Sequence, residues 1–123
     1  MNTVPWTLED LARTLREIAA EDPEYVYGNP GEDPPSYTVC WYAHVNGEPG
    51  CIFGVALSRL GVDLGELTAN RPISWYLELW FQVSGSDGAR QEQLSAFRQV
   101  QIHQDRREPW GEAVKALDEL FPL

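Results

Sequence analysis

Basic side chains are scarce in this sequence. It has one lysine, Lys115, and eight arginines against 19 acidic residues, which gives a formal net charge of −10. Binding of nucleic acid through phosphates requires clustered lysine and arginine, so we predict no direct contact with DNA or RNA. A high negative charge keeps a protein soluble, and the sharper alternative is attraction to a basic surface on a partner protein.

Long apolar runs are also missing. No run approaches the roughly 18 apolar residues that span a bilayer. The first ten residues, MNTVPWTLED, lack the basic region and apolar stretch of a secretory signal. We therefore expect a cytoplasmic protein with no membrane association. A length of 123 residues with 43% apolar residues fits a single domain over residues 1–123 that buries its own core.

Cysteine is limited to Cys40 and Cys51. In the cytoplasm both are expected as reduced thiols, although a bridge between them stays open. Together with His44 and His103 they supply the atoms of a tetrahedral zinc site, but their spacing matches no familiar zinc motif. We accordingly predict no metal and no cofactor.

Four segments carry helix signals at their starts, near Thr7, Cys51, Asp87 and Pro109. Thr7 and Asp10 have the spacing of a capping box, and Pro23 ends the first helix. Gly61 is suited to a left-handed stop after the second. Gly54 costs that helix about 1 kcal/mol relative to alanine, and we expect close approach of another backbone to be the reason.

Residues 37–44 alternate in polarity and are rich in β-branched and aromatic side chains, a pattern typical of a strand. Asn46 and Gly47 then favour a reversing turn. The predicted fold class is therefore α+β, with about four helices packed around a small β-hairpin in a single compact domain.

The segment Ile73–Val83, ISWYLELWFQV, fits both a strand alternation and a helix face. Ser74 as a possible N-cap and Gly85 as a possible stop favour the helix. Apolar side chains on both sides indicate burial or contact with a partner.

Two sets of residues are predicted to mediate interaction. The first is aromatic, because tryptophan and tyrosine are favoured interface anchors, and comprises Trp75, Tyr76, Trp80 and Phe81. The second lies in the acidic, proline-rich loop of residues 23–35 and is represented by Glu32 and Asp33. The loop is also interpretable as a solvated connection without a partner.

Cys51 is the one residue with a catalytic interpretation. A thiol at a helix N-terminus is stabilised as thiolate, and His103 or His44, oriented by Asp105, would complete a Cys-His-Asp triad. His103 lies on a predicted helix rather than on the strand that papain-like folds use, so a buried structural thiol is favoured. Arg106 and Arg107 are candidates for an anion clamp, with ion pairs to nearby acids as the favoured alternative.

Several motifs resemble those of a group of small proteins of unknown function from actinobacterial and actinobacteriophage genomes. They are Cys40-Trp41-Tyr42, Gly47 to Gly54, Leu57, Leu60-Gly61-Val62, Gln104-Asp105 and Pro109 to Ala113. The resemblance covers about half of the chain. It implies an accessory intracellular protein and transfers no catalytic residue.

We thus predict a non-enzymatic interaction or regulatory protein of phage-related origin. It would bind a host protein through acidic and aromatic surface, or associate with itself. The alternative is a thiol-dependent hydrolase or transferase that uses Cys51.

Overall fold

The computed structural model describes residues 4–27, 42, 49–67 and 71–122. Within these ranges the chain forms five α-helices and two 3-10 helices. The α-helices are α1 (Leu8–Glu21), α2 (Ile52–Arg59), α3 (Ile73–Phe81), α4 (Gly88–Asp105) and α5 (Trp110–Ala113). The 3-10 helices are Leu64–Glu66 after α2 and Val114–Leu117 directly after α5. Each helix of the described residues is too short or too polar to cross a membrane.

The predicted α+β class is wrong, because the described part of the chain is helical and contains no strand. Most of the predicted hairpin lies outside the described residues. Pro49 makes an isolated bridge, and the Gly50 amide donates to the Tyr42 carbonyl at 3.1 Å. Proline lacks the amide that a ladder needs, and α2 begins two residues after Gly50. Tyr42, the one described residue of the predicted strand, is buried, and its ring meets Tyr76 of α3 edge to face at 5.6 Å.

Helix α1 begins and ends as predicted. The Thr7 amide donates to Asp10 Oδ2 at 2.9 Å, and the Asp10 amide donates to Thr7 Oγ1 at 3.1 Å, which completes the capping box. The helix ends at Glu21, with Asp22 as C-cap directly before Pro23. Its buried stripe recurs at helical spacing and comprises Leu8, Leu11, Ala12, Thr14, Leu15, Ile18 and Ala19.

Both glycine predictions for α2 are confirmed. Gly61 has a φ of 90°, and its amide donates to the Ser58 carbonyl at 3.1 Å while the Val62 amide donates to Leu57 at 2.9 Å. These two bonds define the Schellman motif. A Cβ on Gly54 would lie 2.0 Å from the carbonyl oxygen of Tyr42, so the backbone at Tyr42 passes directly over the helix.

The segment Ile73–Val83 contains a helix, as the cap signals favoured, but the signals themselves were placed wrongly. Pro72 is the N-cap of α3 rather than Ser74, and the helix stops at Gln82, whose φ of 52° is left-handed. Asp87 caps α4 as expected, accepting a hydrogen bond from the Arg90 amide at 3.1 Å.

Helix α4 lies at the centre of the fold, where it packs against α2, α3, α5 and the second 3-10 helix. Helix α1 packs against α2, α5 and the same 3-10 helix. The start of α5 is held by the segment after α1, because the Trp110 and Gly111 amides donate to the carbonyls of Tyr25 and Pro23 at 2.9 and 2.8 Å. Phe121 closes the core against Phe97 of α4, with ring centroids 5.1 Å apart.

Candidate functional site at the face of helix α3

The four aromatic residues predicted to mediate interaction differ in their exposure to solvent. Tyr76 is buried, and Trp80 and Phe81 are partly buried. The rings of Trp80 and Phe81 lie 5.9 and 5.6 Å from the Trp6 ring, an edge-to-face cluster that fixes α3 to the start of the chain. Trp75 is the one exposed member of the set, with 42% of its surface accessible to solvent.

Leu79 is exposed beside Trp75 and was missed by the sequence interpretation. It lies one helical turn further along α3 and is 56% exposed, so the two apolar side chains share one face of the helix. Arg71 precedes the helix with its guanidinium 4.6 Å from the centroid of the Trp75 ring, within range of a cation–π contact. Exposed Glu78 lies on the same side. We refer to Arg71, Trp75, Glu78 and Leu79 as the α3 face.

A groove of about 370 Å³ separates α3 from α4 beside this face. Its lining includes Pro72, Trp75 and Glu78 on the α3 side and Leu94, Ser95 and Arg98 on the α4 side. The groove therefore has an aromatic wall, an apolar floor at Leu94 and side chains of both charges. It offers shape and hydrogen bonding for a protein side chain, and its described lining residues do not include a paired nucleophile and base.

Gln101 of α4 holds the N-terminus of α3 in place. Its Oε1 accepts a hydrogen bond from the Ile73 amide at 2.9 Å, and its Nε2 donates to the Tyr42 hydroxyl at 3.0 Å. The hydroxyl in turn donates to the Arg71 carbonyl at 2.8 Å. Burial raises the pKa of Tyr42, so the hydroxyl keeps its proton and its donor role. This network fixes the backbone at the start of the α3 face.

Gln104 of α4 holds the N-terminus of α2 in place in the same way. Its Oε1 accepts from the Ile52 amide at 2.6 Å and from Trp110 Nε1 at 3.2 Å, and its Nε2 donates to Asp105 Oδ1 at 3.1 Å. Neither Cys51 nor Pro72, the N-caps of α2 and α3, provides a side-chain cap. Helix α4 therefore supplies the missing acceptors from its own buried glutamines.

Sequence interpretation missed both glutamines, although a signal for them exists. Gln101 and Gln104 lie four residues after Phe97 and Val100, so they fall on the apolar side of α4. Both side chains are buried. A buried amide needs partners, and two helices whose N-caps lack capping side chains have the matching donors.

The candidate catalytic residues are not assembled into a triad with a free thiol. Cys51 is fully buried and disulfide-bonded, so the expectation of a reduced thiol is wrong for this residue. The Nδ1 of His103 lies 2.7 Å from Glu108 Oε2, and Asp105 accepts from Gln104. While Cys51 is bonded and buried it offers no thiolate nucleophile, and the thiol-enzyme alternative stays a prediction for the reduced protein.

Several other predicted site residues lie outside the described residues. These are Cys40 and His44 of the zinc alternative, and Glu32 and Asp33 of the acidic loop. Arg106 and Arg107 are exposed in the turn between α4 and α5, and Arg107 has a left-handed φ of 65°.

The carboxyl of Asp105 gives a pH-dependent prediction. Burial raises its pKa from 3.8 to about 6, while the bond from Gln104 and the charge of Arg98 act in the opposite direction. A folded-state pKa above the unfolded one means that protonation favours folding. That stabilisation is complete below about pH 4 and is lost as the pH rises through about 6.

Asp105→Asn is therefore expected to raise the free energy of unfolding at pH 7 by about 1 kcal/mol, a value reduced for solvent screening of a partly exposed group. At pH 4 or below, the variant and the native protein should be nearly equal. Urea unfolding at the two pH values measures this, with exposed Asp22→Asn as the control. An equal effect at both pH values would contradict it.

No protein-family model matches the chain, and comparisons with curated proteins and with solved structures found no match. The relationship to actinobacterial and actinobacteriophage proteins therefore stays a prediction.

Proposed function

We propose that the protein is a non-enzymatic accessory protein that binds another protein through the α3 face. The observation that carries the proposal is the pair Trp75 and Leu79, two large apolar side chains exposed side by side. Single exposed apolar residues are ordinary on a surface, but an adjacent tryptophan and leucine beside a groove fit an interface anchor.

The rigid support of this face favours the proposal. Gln101 and Tyr42 fix its start, and Trp80 and Phe81 pack its far end against Trp6. A surface that is ordered before binding loses little conformational entropy in the complex. The α3 face is thus preorganised for a partner.

A cytoplasmic location, and a host protein or a second copy of the chain as the target, are parts of the same proposal, based on the sequence. The disulfide of Cys51 sets a condition on them, because reducing compartments disfavour such bonds. In the cytoplasm we expect the disulfide of Cys51 to be reduced to the thiol. Mass spectrometry of protein alkylated in intact cells would measure the redox state of Cys51 there.

The test compares three baits in a lysate of the organism that encodes the chain. They are the native protein, Trp75→Ala with Leu79→Ala, and Tyr25→Ala with Val26→Ala, which removes two apolar side chains exposed elsewhere. Loss of an anchor aromatic weakens binding by roughly 30-fold. We expect quantitative mass spectrometry to show proteins lost from the α3 variant alone. The same capture by all three folded baits would overturn the proposal.

A further inference from the structure

We propose that the partner of the α3 face is a second copy of this chain, in a two-fold dimer with the two α3 helices antiparallel. The inference rests on the proposed function, that the α3 face is an interaction surface. It goes further because the charges of the face select one occupant.

The α3 face carries opposite charges on either side of its apolar centre. Arg71 lies before Trp75, and Glu78 lies beyond it beside Leu79. Arg71 precedes the N-cap of α3 and Glu78 lies in its last turn, so the two residues lie on either side of Trp75 along the helix direction. A two-fold axis near Trp75 reverses this order in the second copy. Arg71 of one copy then comes level with Glu78 of the other, twice in the dimer.

Neither Arg71 nor Glu78 has a strong ionic contact with another described residue of its own chain. In the described residues, the contact of the Arg71 guanidinium is the Trp75 ring at 4.6 Å. The Glu78 carboxylate accepts one long hydrogen bond, from Gln91 at 3.4 Å, and no ion pair among the described residues includes either group. Both remain available to a partner, and the ring contact already directs Arg71 along the face.

Charge also disfavours the other occupants. A uniformly basic partner would meet Arg71 and Arg98 here, and a uniformly acidic one would meet Glu78. Elsewhere, two copies of a chain with net charge −10 repel each other. A second groove, between α4 and the C-terminal segment, illustrates this, since its charged lining residues are Glu92 and Glu119. The α3 face carries both signs of charge, so two copies can meet there with matched rather than like charges.

The geometry makes an unusual complementation test possible. Arg71→Glu places like charges opposite each other at both ends of its homodimer, and Glu78→Arg does the same with the opposite sign. An equimolar mixture of the two variants forms a heterodimer in which both pairs are again of opposite charge. A different partner protein produces no such rescue in purified protein.

Sedimentation equilibrium from about 1 μM to about 1 mM covers the affinities of weak interfaces. We expect a monomer–dimer equilibrium for the native protein and a dissociation constant raised about 10-fold or more by each charge reversal and by Trp75→Ala. The mixture should return to within about three-fold of the native value. Arg90→Glu and Glu92→Arg are matched controls, exposed on α4 outside the face, and should leave dimerisation unchanged.

The dimer proposal is overturned if the native protein stays monomeric up to about 1 mM, a concentration that would reveal even a weak association. A mixture that is no better than its components, or equal weakening by the two controls, also overturns it. None of these results removes the proposed function, which the three-bait comparison tests separately. If that comparison also shows no protein specific to the α3 face, both proposals fail.

Discussion

Gly54→Ala is expected to lower the free energy of unfolding by about 3 kcal/mol or more, the largest effect expected of a methyl group added to a described glycine. The added Cβ would lie 2.0 Å from the Tyr42 carbonyl oxygen and 2.8 Å from its carbon. Both atoms belong to the backbone, so no side-chain rotation relieves the overlap. Either α2 or the segment at Tyr42 has to move away.

Movement at Tyr42 would spread to several other contacts. The Tyr42 carbonyl accepts from the Gly50 amide, and its hydroxyl bonds with Gln101 and the Arg71 carbonyl. The ring also packs on Tyr76. Loss of these contacts outweighs the gain in helix propensity from glycine to alanine, about 1 kcal/mol. A shift of Tyr42 should also disturb the start of the α3 face.

Gly88→Ala is the matched control, because Gly88 begins α4 and a Cβ there meets nothing within 4 Å. We expect it to be neutral or slightly stabilising. Urea unfolding measures the free energy of unfolding of both variants. In thermal unfolding, we expect a melting temperature roughly 10 °C lower for Gly54→Ala. A Gly54→Ala protein as stable as Gly88→Ala would show that the Tyr42 backbone does not press on α2.

The successful sequence predictions concern features written in neighbouring residues. The capping box of Thr7 and Asp10 and the left-handed stop at Gly61 are local, since each is set within one turn of helix. The close approach at Gly54 was also predicted, because a glycine within a helix needs a reason. Its partner, Tyr42, is not visible from the sequence, as nothing local links the two.

The failures concern contacts between distant residues. The strand predicted from alternation at 37–44 lies outside the described residues except at Tyr42. The sequence pattern did not indicate the contact that the Tyr42 ring makes with Tyr76 of α3. The same limit applies to the candidate site. Composition predicted interaction through four aromatic residues, and it did not indicate that packing around Trp6 partly buries Trp80 and Phe81 while Trp75 stays exposed.

Gln104→Leu is expected to lower the free energy of unfolding by about 2 to 4 kcal/mol, the second large effect. The side chain is fully buried, and leucine fills a similar volume without an acceptor. The Ile52 amide and Trp110 Nε1, which both donate to Gln104 Oε1, would remain buried without their partner. A buried donor left unpaired costs about 1 to 3 kcal/mol.

The positions at which protection from hydrogen exchange is lost distinguish a loss of hydrogen bonds from a loss of packing. Native-state hydrogen exchange should become faster at the Ile52 amide and at the Trp110 indole, while the Ile73 amide, which donates to Gln101, stays protected. Gln101→Leu should give the reverse pattern and expose the start of α3. Gln99→Leu, an exposed glutamine on the same helix, is the control and should change neither site.

The paired glutamine variants also connect the fold to the proposed interface. If Gln101 fixes the start of the α3 face, Gln101→Leu should weaken association through Trp75 even where the protein remains folded. Gln104→Leu acts on α2 and should weaken that association much less at equal loss of stability. Equal losses of association in the two variants would mean that global stability, rather than the anchored start of α3, determines binding.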